Sequence, residues 1–130
     1  MARRIDRIII HCTDTVKGRI CTVEEITRWH KARGMRFCGY HIVVQPDGSV
    51  QFGRPIEDIG AHAKGYNSTS IGICYAGGKG GDTRTYEQTH VLRGLVAGLK
   101  AIYPNAEVLG HRDLPGVTKL CPSFDVKTEL

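Results

Sequence analysis

Arg7-Ile8-Ile9-Ile10 is the run that most limits how this chain can fold. It is continuous, apolar and β-branched, too short for a buried helix, and it breaks off at His11-Cys12-Thr13-Asp14-Thr15. Such a run fits a strand covered on both faces, which demands a sheet with other elements packed over it. The end of that strand then presents His11 where sheets commonly display reactive groups.

The remaining segments supply what such a sheet needs. Thr22-Val23-Glu24-Glu25 has the form of a capping box, with Thr22 accepting from the Glu25 amide and the Glu25 carboxylate reaching back. The helix expected from it carries Val23, Ile26, Trp29, His30 and Arg33 at helical spacing and stops at Gly34, with Trp29 read as core. Tyr40-His41-Ile42-Val43-Val44-Gln45 and Val50-Gln51-Phe52 flank Pro46-Asp47-Gly48-Ser49 and form a β-hairpin, whose first strand is expected to start at Tyr40 and to be central. Residues 61–70 form a polar loop long enough to carry function, followed by a buried strand, Ile71-Gly72-Ile73-Cys74-Tyr75. Residues 76–84, with four glycines, are expected to be the most flexible stretch and a mobile rim. Thr85-Tyr86-Glu87-Gln88 is a second capping box, opening a helix through Val91, Leu92, Leu95, Val96, Leu99, Ile102 and Tyr103 that Pro104 ends. Ala106-Glu107-Val108-Leu109 is a last strand that delivers His111. The order β, α, β, β, β, α, β puts strands from several parts of the chain into one sheet with two helices on it, a single mixed α/β or α+β domain over residues 1–130.

Length and charge narrow the classes. A chain of 130 residues buries enough surface to need no disulfide staples. The five cysteines, at 12, 21, 38, 74 and 121, are odd in number and form no CxxC pair, so they read as reduced thiols. The apolar run at 8–10 is too short for a secretory leader, and no run reaches the length of a membrane span. The expectation is a protein made in the cytoplasm without a signal peptide, with no membrane partner and a monomer by default. A net charge of +5 attracts polyanions mildly, but the basic residues are scattered, so no nucleic-acid partner is expected.

The reactive side chains concentrate between Gly110 and Pro122, where an imidazole, a cation and a thiol share one irregular segment that reads as the wall of a site. His11 and His111 each follow an apolar strand, so one end of a common sheet can present both, and Cys121 can fold back to them. Two His and one Cys would make a three-ligand zinc set with an open position, the catalytic pattern. Spacing alone, without HExxH or CxxC, favours unrelated buried side chains instead. Lys119 could bring a cation into the same cavity and Tyr40 a phenol, although each taken alone reads as a solvated side chain or a rim aromatic. His62 could support the site or bind substrate; His30 and His41 read as structural, and His90 has no evident partner. Cys12, Cys21, Cys38 and Cys74 read as packing or surface thiols.

Five blocks, taken together, carry a resemblance. They are Ile10-His11-Cys12-Thr13; Gly39-Tyr40-His41 followed by Asp47-Gly48; Ala61-His62-Ala63-Lys64-Gly65-Tyr66-Asn67 with Ser70-Ile71-Gly72-Ile73; Gly110-His111-Arg112-Asp113; and Lys119-Leu120-Cys121-Pro122-Ser123-Phe124-Asp125. In this order and spacing the chain resembles the type 2 N-acetylmuramoyl-L-alanine amidases, most closely the phage lysozyme-type enzymes, with peptidoglycan recognition proteins as more distant relatives. The resemblance implies a central mixed sheet flanked by helices, Zn2+ on His11, His111 and Cys121, Tyr40 and Lys119 as catalytic residues, and His62 and Asn67 in the substrate cleft. The implied substrate is the amide joining the lactyl group of N-acetylmuramic acid to L-alanine in peptidoglycan.

On that resemblance, zinc would activate water, Tyr40 would orient or deprotonate it, and Lys119 would stabilise the tetrahedral oxyanion. Two other readings stand beside it. One is a peptidoglycan-binding module without activity, against which Cys121, Tyr40 and Lys119 argue. The other is an amidase that also regulates a phage RNA polymerase, for which the ten residues before His11 offer no long arm. Action on the cell wall without a signal peptide implies release by other means, through a phage holin partner or a secretion system.

Overall fold

The protein is described by a computed structural model over residues 3–130. Its strands are β1 (Arg7–Cys12), β2 (Ile42–Val44), β3 (Val50–Phe52), β4 (Ser70–Tyr75) and β5 (Glu107–Gly110). They form one sheet in the order β3-β2-β4-β1-β5. β1 runs parallel to both β4 and β5, and β2 runs parallel to β4, while the β2–β3 hairpin is antiparallel. The mixed sheet expected from the sequence is therefore present, with parallel strands at its centre.

Burial divides β1 by parity, because successive side chains point to opposite faces. Ile8, Ile9 and Ile10 are all fully buried, Ile8 and Ile10 in one core cluster and Ile9 in another. The first cluster is covered by α2 (Tyr86–Ile102) through Leu92 and Val96. The opposite face is covered near β2 by α1 (Val23–Ala32), whose Ile26 packs with Val43, Cys21 and Cys38. Near β1 and β5 that face is covered by Ala63 and Leu114 from loops. His11 shares the parity of Ile9, and so it projects on the face away from α2.

The two helix starts differ. Thr85 and Gln88 form the complete reciprocal box at the start of α2. At α1, Thr22 accepts from the Glu25 amide, but the Glu25 carboxylate takes Arg19 at 2.9 Å instead of reaching back. A cationic partner outcompetes a neutral backbone amide for that carboxylate. α1 ends as expected at Gly34, whose φ of +89° suits glycine, with Gly34 N–H donating to Lys31 O and Met35 N–H to His30 O.

Three expectations are corrected. β2 begins at Ile42, not at Tyr40, and the central strand is β4. Tyr40 lies just before the ladder, held where Arg54 N–H donates to its carbonyl at 3.0 Å. Residues 76–84 are not a mobile rim throughout: residues 76–78 are buried, Gly77 N–H donates to Thr13 Oγ1 at 2.9 Å and Gly78 N–H to Thr83 Oγ1 at 2.7 Å. Third, the chain ends in a short helix, α3 (Val126–Glu129), which the sequence pattern did not announce. Arg84 pins this end by lying 3.5 Å over the Phe124 ring and pairing with Asp82 and Glu129.

Candidate active site

His11 comes from β1 and His111 directly follows β5; these strands are adjacent and parallel, with Ile10 opposite Gly110. Their imidazoles are thereby brought side by side, ring centroids 4.6 Å apart. The 111–121 segment then folds back, with Arg112 N–H donating to the Cys121 carbonyl at 2.8 Å. Gly110 permits this return, since a Cβ there would stand 2.7 Å from Pro122 Cδ. Tyr75 Oη donates to Pro122 O at 2.6 Å and Ser123 Oγ to Gly78 O at 3.0 Å, which fixes the returning strand of chain against the sheet.

The fold thus gathers His11 with His111 and Cys121, some hundred residues further along the chain, so that one ligand atom from each lies within 4.8 Å of the others. Two imidazoles and a thiol with room for a further ligand form a donor set suited to a zinc-like ion. The Cys12 backbone N–H donates to Cys121 Sγ at 3.2 Å, and such a donor stabilises a thiolate. Without a cation, the Cys12 side chain and burial push the Cys121 thiol up. A bound cation reverses that, because a coordinating thiol is deprotonated. His11, buried and beside His62 and His111, is held well below the ordinary histidine value, and His111 is lowered by burial and by Lys119. Both are therefore neutral, the form that binds metal.

A cleft of about 970 Å³ opens over this cluster. Tyr40, His62, Asn67 and Lys119 all line it. The Tyr40 ring lies 5.2 Å from that of His11, and burial, then the Cys74 and Cys121 thiols, keep its phenol well above the ordinary tyrosine range. His62 contacts His11 directly, Nδ1 to Nε2 at 2.8 Å, and burial followed by the neighbouring His41 pushes its pKa down to about 3. Asn67 uses its side-chain oxygen locally, accepting from the N–H groups of His62 and Ala63 at 2.9 and 2.8 Å. This closes the 61–67 loop and sets where His62 emerges.

Several contributors were not evident from residue pattern. His30 accepts from the Gly39 N–H at 2.8 Å through Nδ1 and lies 5.3 Å from the Tyr40 ring, so it ties down the residue before Tyr40 and packs against the Tyr40 ring. Its helical spacing gave only the buried face. Arg33, Lys64 and Arg112 also line the cleft and make its rim cationic, although they come from three separate segments. His41 is buried, accepting from Gly72 N–H at 3.0 Å through Nδ1 and standing 2.8 Å from Asp58 O through Nε2, a structural placement. His90 stacks on Tyr86 on the surface of α2, with ring centroids 6.4 Å apart. All five cysteines are free thiols.

Comparison with known proteins adds a second line of observation. A family model described as N-acetylmuramoyl-L-alanine amidase matches residues 1–124. The chain is 40% identical over 127 residues to the endolysin of Escherichia phage T7, covering 94% of this chain and 83% of that protein. It is likewise 40% identical over 126 residues to the endolysin of Klebsiella phage KP32, covering 93% of this chain and 82% of the relative. Among solved structures, the N-acetylmuramoyl-L-alanine amidase LysC from Clostridium intestinale URNW superposes with a TM-score of 0.85 at 29% identity, covering 98% of this chain and 82% of that one.

Proposed function

As a member of the N-acetylmuramoyl-L-alanine amidase family, the chain is an enzyme that cleaves the amide between N-acetylmuramic acid and L-alanine in peptidoglycan, and we propose that it does so with a zinc ion held by His11, His111 and Cys121. The observation that carries the metal assignment is the clustering of these three donors, within 4.8 Å of one another, beneath a cleft of about 970 Å³. Bound there, zinc supplies Lewis-acid polarisation of the amide carbonyl and acidifies water to a pKa of about 7.

The chain's own groups account for the rest. Tyr40 stands beside His11 and lines the cleft, so its phenol orients the attacking water or takes its proton. Lys119 lines the cleft on the side of His111 and brings a fixed cation toward the oxygen on which negative charge develops. His62 and Asn67 form part of the cleft wall along which the glycopeptide lies.

The same reading takes residues 1–130 as one amidase domain acting as a monomer on the cell wall after release, in keeping with the endolysin relatives. Among the described residues no helix is long and apolar enough to cross a membrane.

The test is purified protein on peptidoglycan, with and without a chelator, followed by quantification of new L-alanine amino termini and of bound metal. Chelator-sensitive release of those termini, restored by zinc, is the expected result. Undiminished release from metal-stripped protein would overturn the zinc assignment.

A further inference from the structure

The hydrogen bonds around His62 have a direction that can be read from a backbone carbonyl inward. Ser70 Oγ donates its proton to Tyr66 O at 2.7 Å, which leaves the hydroxyl oxygen as an acceptor. His62 Nε2 lies 3.3 Å from that oxygen and so carries the imidazole proton. In a neutral imidazole the other nitrogen is then an acceptor. His62 Nδ1 therefore accepts from His11 Nε2–H at 2.8 Å. It follows that the lone pair of His11 is on Nδ1, the nitrogen 4.0 Å from Cys121 Sγ.

We infer that His62 is a positioning residue that acts through His11, fixing the tautomer and ring orientation that aim His11 Nδ1 at the metal position. Both ring nitrogens of His62 are engaged in this chain of bonds, one to His11 and one to Ser70, which leaves neither for the substrate. The inference rests on the reading of His11 as a metal ligand.

The surroundings of His62 are shaped for this task. Gly72 of β4 lies directly against the ring: a Cβ there would stand 2.6 Å from His62 Cγ and 2.7 Å from Nδ1. A Cβ on Gly60 would likewise stand 2.7 Å from His62 Cδ2. Two glycines thus leave the room that the ring occupies, and Asn67 fixes the backbone from which it projects. A partner on the far nitrogen of a ligating histidine raises its basicity and removes its rotational freedom, and losing such a partner commonly weakens metal binding about 10- to 100-fold.

The experiment measures zinc affinity by competition with a chromophoric chelator for the wild type, His62→Phe and His62→Asn, each checked for folding by near-UV circular dichroism. Nitrogen-15 NMR of the imidazoles reports the His11 tautomer in the metal-free wild type. Phe keeps a ring but has no acceptor, and its dissociation constant should rise about 10- to 100-fold. Asn can place its side-chain oxygen where Nδ1 stands and should recover most of that loss. The wild-type spectrum should show His11 protonated on Nε2. A folded His62→Phe variant that binds zinc as tightly as wild type overturns the inference, as does a His11 proton on Nδ1, which needs no variant to observe. Wild-type protein that binds no zinc would instead overturn the ligand assignment of His11 itself.

Discussion

The backbone N–H of Cys12 donates to Cys121 Sγ at 3.2 Å, joining the end of β1 to the segment that returns after β5. One strand therefore contributes twice to the proposed zinc centre, His11 through its side chain and the next amide as a donor to Cys121 Sγ. Cys121→Ser retains a weak acceptor for that amide but removes the soft donor. Zinc affinity should fall by more than the about 10- to 100-fold expected for losing an outer partner, with amidase activity falling in parallel. Metal analysis of the purified variant alongside L-alanine release checks this, and a fully active, zinc-replete Cys121→Ser protein would contradict it.

Lys119→Ala separates catalysis from metal binding. The cation lines the cleft without belonging to the donor cluster. Removing a donor that faces developing charge commonly costs about 3 to 4 kcal/mol, or 100- to 1000-fold in kcat. Zinc content should remain at the wild-type level. Near-normal turnover in this variant would remove Lys119 from the mechanism.

His30→Phe should act on Tyr40 from behind. The substitution leaves the Gly39 N–H without its acceptor in a buried position, at a cost of about 1–3 kcal/mol. It also disturbs the ring contact that seats Tyr40. A lower melting temperature is expected together with reduced kcat at unchanged zinc affinity. Thermal unfolding and steady-state kinetics on one preparation decide it, and unchanged kcat would free Tyr40 from this support.

Acid should destabilise the metal-free protein through its buried histidines. The pKa of His41 is lowered, chiefly by burial, and that of His62 is lowered to about 3. A depressed folded pKa means that the unfolded chain takes up protons first as pH falls below about 6.5. The stabilisation is complete above that value and is lost on descending toward the folded values, at about 1.4 kcal/mol per pH unit for each such histidine. Urea unfolding from pH 7 to pH 4 should show this slope, and His41→Asn, which can still accept from Gly72 N–H, should make it shallower. Equal slopes in the two proteins would assign the acid sensitivity elsewhere.

The sheet and its two long helices were legible because their signals are local. A β-branched run covered on both faces, a hairpin turn with glycine at positive φ, and a Thr-x-x-Gln start each act within a few residues. The site was legible as a set of five blocks, since their order is a property of sequence. What escaped depends on contacts between distant segments. Glu25 turned to Arg19, residues 76–78 were tied down by Thr13 and Thr83, and α3 was held by Arg84 from a distant segment. The direction of the bonds running from Tyr66 O to His11 was likewise hidden, because the proton position on His62 follows from a hydroxyl in another element.

The place of β1 in the sheet has a consequence for the order in which the site can assemble. β1 precedes both of its sheet partners, β4 and β5, in chain order, and more than fifty residues separate it from the nearer one. Until they dock, the apolar Ile8-Ile9-Ile10 run has no neighbours to pair with, and His11 has no second or third donor beside it. A chain in which β4 and β5 have not yet docked therefore leaves that apolar run unpaired and the donor cluster unassembled. The donor cluster is complete only once the segment carrying Cys121 has folded back over the strand that carries His11.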